Sequence, residues 1–237
     1  MNTSEIEWLR DPITGKLGYT INPVKGLCPV GCSYCYARRM YKRFKWNPEI
    51  RMKPDWMEGL PKKPAKVFVG STMELFGEWV DWEVWESIEQ YVNTYPQHTF
   101  IFLTKRPKNI IKHFFPQNCW VGVSVTNDNM FREAVDSLED LTRVNKFISF
   151  EPLLEQIKNI DYGFYYSGIQ WVIIGQQTPV KRSTMPKLGW VEEIVMAADK
   201  ANVPVFLKDN LISCVDQYPF AFSGIFPGIK LRQEFPQ

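Results

Sequence analysis

Seven short runs of β-branched and aromatic residues recur along the chain, and a helical pattern follows most of them. The runs span residues 19–22, 66–70, 99–103, 119–125, 146–150, 170–174 and 204–207. Several are continuously apolar, as parallel strands buried on both faces must be. Between them, apolar residues repeat every three or four positions. Trp85, Ile88 and Val92 form one stripe; Phe131, Ala134, Val135, Leu138 and Leu141 a second; Val191, Ile194, Val195 and Ala198 a third. Strands that alternate with amphipathic helices predict an α/β fold with right-handed crossovers. Seven strand candidates suit an incomplete barrel better than a closed eight-fold one. The expectation is therefore a partial (β/α) TIM-like barrel of about six to seven parallel strands, open on one side. A doubly wound open sheet is the alternative. Residues 152–168 have room for only one or two helical turns. With 237 residues, residues 1–237 are read as one domain, with a Pro-punctuated tail from about 209 to 237 wrapping the core.

Polar residues gather where these strands end. Ser71, Thr72 and Glu74 follow the second run, and Thr104, Lys105 and Arg106 the third. Ser124, Thr126 and Asn127 end the fourth; Ser149 and Glu151 end the fifth. Gly175, Gln176 and Gln177 follow the sixth, and Lys208 and Asp209 the seventh. In α/β barrels and open sheets this C-terminal edge carries the active site. Any one of these residues has an equally good role in a turn or cap; Asn127 or Thr126 suits a helix N-cap.

Five cysteines are distributed unevenly. Cys28, Cys32 and Cys35 fall within eight residues, in the pattern C-x3-C-x2-C, while Cys119 and Cys214 stand alone. An odd count with this clustering does not describe a secreted disulfide scaffold. Three thiolates at this spacing can wrap one face of an iron–sulfur cluster. A [4Fe–4S] cluster ordinarily takes four cysteines, so one iron would stay open for an exogenous ligand. S-adenosylmethionine (SAM) is a ligand of that kind, chelating through its amino and carboxylate groups. Pro29 and Gly31 supply the tight backbone that wrapping demands. Competing readings are a structural zinc site, whose fourth ligand would have to come from remote His98, His113, Cys119 or Cys214, and a redox pair of Cys32 and Cys35. Cys119 reads as a buried apolar thiol, and the two histidines as surface or capping residues.

The charge is asymmetric. Residues 1–66 hold thirteen Lys and Arg against six Asp and Glu, whereas residues 67–104 hold six acids and no Lys or Arg. Arg38, Arg39, Lys42, Arg43 and Lys45 are interleaved with aromatic residues. One reading is an electropositive surface for nucleic acid or an acidic redox protein. The other is a solvated helix face whose opposite side, Tyr36, Met40 and Phe44, enters the core. No apolar run approaches 18 residues, and the first ten residues lack a signal-peptide core, so a cytoplasmic protein with no membrane segment is expected.

With Tyr34 immediately before Cys35, the cysteine loop resembles the radical SAM signature. Further segments resemble the phage Gp37/Gp68-like family (DUF5131) within that superfamily. They are NPVKG at 22–26, GCSYCYA at 31–37, LTKRP at 103–107, VGVSV at 121–125, ISFEPLL at 148–154 and WVIIG at 171–175. The resemblance covers roughly residues 5 to 210. It implies a partial barrel, a [4Fe–4S] cluster on Cys28, Cys32 and Cys35, and SAM. It further implies a flavodoxin- or ferredoxin-like electron donor, reductive cleavage of SAM and abstraction of hydrogen from a substrate by the 5′-deoxyadenosyl radical.

By position in the motif, Ser71, Thr72 and Glu74 are candidates to hold the SAM amino group. Ser124 and Asn127 are candidates for its ribose and carboxylate, and Ser149 and Glu151 for its adenosyl part. Lys105, Arg106 and Lys208 are anion-binding candidates, and Cys214 a candidate hydrogen donor. Relatives often carry Gly-Gly-Glu-Ser after the sixth strand. Here Gly175, Gln176, Gln177 and Thr178 stand instead, without the carboxylate. The basic N-terminal third makes a nucleotide or nucleic acid the first substrate class to consider. A non-catalytic iron–sulfur protein and a nucleic-acid-binding protein are the rival functions.

Overall fold

The computed structural model describes residues 1–215 and 231–236. All seven expected strands form, with shifts of one residue at their ends. They are β2 (Gly18–Ile21), β5 (Lys66–Val69), β6 (Thr99–Thr104), β7 (Cys119–Ser124), β8 (Asn145–Phe150), β9 (Trp171–Ile174) and β10 (Val205–Leu207). Three short strands add to them: β1 (Asn2–Ser4), β3 (Val24–Lys25) and β4 (Arg51–Met52). Eight strands make one sheet in the order β1-β2-β5-β6-β7-β8-β9-β10, and β3 with β4 makes a separate pair. Parallel pairing joins β2 to β5, β5 to β6, β8 to β9 and β9 to β10; β1 runs antiparallel along β2. The mixed α/β class, the parallel majority and the chain-ordered strands agree with a partial (β/α) barrel. The chain divides into two compact units, Met1–Val121 and Gly122–Gln237.

In the first unit, α1 (Tyr36–Phe44) lies between β3 and β4, and α2 (Trp82–Thr94) between β5 and β6. The expected stripe of α2 is its buried face: Val84, Trp85, Ile88, Tyr91 and Val92. Helix α1 departs from expectation. Tyr36 and Phe44 are 48% and 51% exposed, and Ala37 is its one buried residue. The helix is too polar to be held by a core stripe. Its tyrosines act through their hydroxyls instead: Tyr36 Oη donates to the Ser71 carbonyl, and Tyr41 Oη accepts from the Gly26 N–H, both at 2.8 Å.

In the second unit, α3 (Asp128–Glu139), α4 (Ile160–Ser167) and α5 (Leu188–Lys200) alternate with β8, β9 and β10. Helix α4 is two turns, as residues 152–168 allow. It approaches α3 so closely that a Cβ on Gly163 would fall 2.3 Å from the Phe131 ring. Residues 231–236 return along the edge of β10. The Leu207 N–H donates to the Arg232 carbonyl (2.8 Å), and the Glu234 N–H to the Val205 carbonyl (3.0 Å). Such a return covers an otherwise open sheet edge. The rest of the expected wrapping tail, 216–230 and 237, lies outside the described residues. Among the described residues, no helix is long and apolar enough to cross a membrane.

Candidate functional site

The cysteine loop belongs to an excursion that leaves β3 and re-enters the fold at β4. The register Val24↔Met52 and Lys25↔Arg51 closes its base. The Leu27 N–H donates to the Pro48 carbonyl at 2.9 Å, and the Lys53 N–H to the Pro23 carbonyl at 2.7 Å. Gly26 has φ +126°, and a Cβ there would lie 2.6 Å from the Glu49 carbonyl oxygen, so the crossing admits glycine alone.

Within this frame the three cysteines line one small cavity of about 20 Å³, together with Gly31, Ala37, Arg38, Tyr41 and Thr72. All three are partly exposed free thiols. Cys35 caps α1, its Sγ accepting from the Arg38 N–H at 3.5 Å. The Arg38 guanidinium reaches back to the Cys28 carbonyl at 2.7 Å. That bond ties the first cysteine of the motif to the helix that follows the last. Burial raises the Cys28 thiol above its ordinary value, and the nearby Glu74 carboxylate and Cys32 add to the rise. The backbone N–H groups of Glu74 and Val30 act in the opposite direction.

The residues after β5 converge on the same region. Asn22, at the end of β2, gathers them: its Oδ1 accepts from Ser71 Oγ (3.2 Å), Thr72 N (3.0 Å) and Thr72 Oγ1 (3.0 Å). Glu74 is 8% exposed. Its carboxylate accepts from the Phe76 N–H (3.1 Å), Thr104 Oγ1 (2.7 Å) and the Lys105 N–H (2.7 Å). Glu74 thus joins the ends of β5 and β6. The Lys105 ammonium lies 6.0 Å from the centre of the Tyr34 ring, which places it beside the cysteine loop. Thr72 lines the cysteine cavity directly; Ser71, Glu74 and Lys105 form the scaffold next to it.

A cluster differs from a lone ion in what it asks of its ligands. Among the described residues, no three His, Cys, Asp or Glu side chains converge on one metal-ion position. A cubane in which each iron takes one thiolate needs the sulfurs spread around a cavity rather than drawn to a point. Three thiols on one cavity are the donor set such a cluster would call on.

The second unit holds the other candidates. Asn127 is the N-cap of α3, its Oδ1 accepting from the Met130 N–H at 2.9 Å, as its sequence position suggested. Ser124 and Ser149 are buried at the ends of β7 and β8. Ser149 Oγ and Gln176 Oε1 are buried without a hydrogen-bond partner among the described residues. Glu151 pairs with Lys208 across Gly175, so the carboxylate after β8 and the lysine after β10 neutralise each other. Gln176 donates through Nε2 to the Asn210 carbonyl and to Ser213 Oγ. Cys214 is buried in α6 (Ile212–Val215), and burial pushes its thiol to about 11; Cys119 is buried and pushed to about 12.

The histidines depart from the surface role expected of them. His98 is 1% exposed. The His113 ring stacks on Trp85 at 3.8 Å, and burial lowers its pKa to about 4. Both rings pack against aromatic neighbours, His98 fully buried and His113 half-buried. Sequence reasoning also passed over Arg38 as a loop tether, Tyr41 and Asn22. The local signals were the i, i+3 spacing from Cys35 to Arg38 and, for Asn22, its place at the head of the NPVKG segment.

The family profile of a protein of unknown function, DUF5131, matches residues 3–210. The chain belongs to the DUF5131 family. No protein of curated function matches it at a significant level. Among solved structures, this DUF5131 protein is similar to a spore photoproduct lyase double mutant with bound AdoMet and dinucleoside spore photoproduct, at 10% identity and a TM-score of 0.43. The match covers 83% of the DUF5131 chain and 65% of the lyase chain.

Proposed function

We propose that this DUF5131 protein is a radical SAM enzyme whose Cys28, Cys32 and Cys35 hold a [4Fe–4S] cluster. The observation that carries the reading is a C-x3-C-x2-C loop whose three thiols line one cavity. When bound, the cluster and SAM would supply the electron and the hydrogen-abstracting radical, chemistry that belongs to the cofactors.

The chain supplies position. Arg38 fixes the Cys28 carbonyl against α1, and Asn22 fixes the backbone of Thr72 at the wall of the cavity. The backbone N–H groups of Val30 and Glu74 offset part of the rise that burial imposes on the Cys28 thiol. Ser71, Thr72 and Glu74 are the proposed contacts for the SAM amino group, with Lys105 for an anionic group. Ser124, Asn127, Ser149 and Glu151 are the proposed ribose, carboxylate and adenosyl contacts. Cys214 is held as the neutral thiol, the form from which a hydrogen atom is donated, and it is the proposed donor. A flavodoxin- or ferredoxin-like protein is the proposed electron source.

Anaerobic reconstitution with iron and sulfide, followed by a SAM-cleavage assay with a strong reductant, tests the reading. Release of 5′-deoxyadenosine, abolished in Cys28→Ala, supports it. A fully loaded protein that releases none leaves a non-catalytic iron–sulfur protein and overturns it.

A further inference from the structure

Apart from Arg38, the basic residues after the cysteine loop have no part in the chemistry proposed above. The segment that carries them is also not a core-facing helix, since Tyr36, Phe44 and Trp46 are 48%, 51% and 44% exposed. Its charge is one-sided. Between Asp11 and Glu49 the sequence contains no acidic residue and seven Lys and Arg. Arg39, Lys42, Arg43 and Lys45 are exposed on α1 and its C-cap. Lys25 and Arg51, both exposed, are register partners at the base of the same excursion. Like charges directly opposite in an antiparallel pair destabilise it. The pair adds two exposed cations to the base of the excursion.

The aromatic residues here are organised. Lys45 takes the left-handed conformation (φ 50°), and the Trp46 N–H donates to the Tyr41 carbonyl at 3.2 Å. That turn folds Trp46 back onto the helix end. Its ring stacks on Phe44 with centroids 5.4 Å apart and planes 22° from parallel. The Arg43 guanidinium lies 5.3 Å from the Phe44 centroid. Two half-exposed, near-parallel rings among four exposed cations match a single-stranded nucleic acid, which offers phosphates to the cations and unpaired base faces to the rings. An acidic protein would engage the cations and leave the ring stack unused. A duplex keeps its bases stacked on one another.

We infer that α1 and the turn to Trp46 form a docking surface for single-stranded nucleic acid, with Phe44 and Trp46 as the base-stacking platform and Arg39, Lys42, Arg43 and Lys45 as the phosphate contacts. The inference does not depend on the cluster chemistry. Placed directly after Cys35, the surface would also deliver a nucleotide substrate to the proposed centre.

The test is fluorescence anisotropy of the full-length protein with a labelled oligothymidylate of about 15 nucleotides, within the usual site size for such surfaces. It is run before and after iron–sulfide reconstitution, so that a failure of cluster loading is read separately from a failure of strand binding. Binding should weaken with salt, and Lys42→Ala and Arg43→Ala should each lower the log–log salt slope by about 0.7. Trp46→Ala should weaken binding about 5- to 150-fold, the equivalent of ~1–3 kcal/mol for one stacked base. Trp46→Phe should recover most of it, which guards against a folding defect in the alanine variant. Absence of salt-dependent binding overturns the inference, and so does equal affinity for duplex. Loss of affinity on removing charges with none on Trp46→Ala also overturns it, because that pattern marks an acidic partner.

Discussion

Glu74 concentrates much of the structure around the candidate site in one side chain. Its carboxylate takes three donors from β5's exit turn and from the end of β6 while almost fully buried. Glu74→Gln keeps the shape but turns an amide NH₂ toward one of those donors. An unsatisfied buried donor costs about 1–3 kcal/mol, so the urea midpoint of the variant should fall by that equivalent; an unchanged midpoint would show that the turn repacks freely. Arg38 bears on the cluster instead of the fold. Arg38→Ala frees the Cys28 carbonyl and should make iron retention against a chelator about 10-fold weaker, in line with other residues that orient metal ligands. Melting temperature should barely change; equal retention would sever the tether from the site. The three cysteines were legible because they are neighbours in sequence. Asn22 and Glu74 act across 49 and 31 residues, and no local pattern announces a partner that far away.

At the scale of elements, legibility followed length and apolarity. The seven strands, several of them continuously apolar, were found with their ends nearly right, because a strand buried on both faces has little choice of composition. Strands β1, β3 and β4 have two or three residues each, too few to show a period of two. Helix α1 was misread for a different reason. Tyr36, Met40 and Phe44 do recur at helical spacing, but spacing does not reveal whether an aromatic residue packs by its ring or anchors by its hydroxyl. Helix α3 was read correctly, and its N-cap gives a clean test. Asn127→Ala should cost about 1 kcal/mol, and Asn127→Ser should recover most of it, as measured by denaturant midpoints. If Asn127 served only a ligand, the unliganded alanine variant would be as stable as the parent.

For the whole chain, acid stability should rest on its two histidines. Burial lowers both, His113 from 6.5 to about 4. The unfolded chain therefore binds protons below about pH 6.5 that the folded chain refuses until about pH 4. Stability contributed by neutral histidine is complete above pH 6.5 and is lost as pH falls through that window. Partial exposure of the His113 ring discounts its share to about 1–2 kcal/mol. The lowered carboxylates, Asp11, Asp55, Asp128 and Glu234, lose their contributions at still lower pH, so the interval from 7 to 4.5 reports mainly on histidine. In His113→Phe the ring keeps its contact with Trp85 and cannot take a proton. Urea midpoints at pH 7 and pH 4.5 should therefore differ less in the variant than in the parent, by the equivalent of that 1–2 kcal/mol at unchanged m-value. If the two proteins lose stability in parallel, His113 is solvated when protonated, and its packing against Trp85 is looser than the 3.8 Å stack requires.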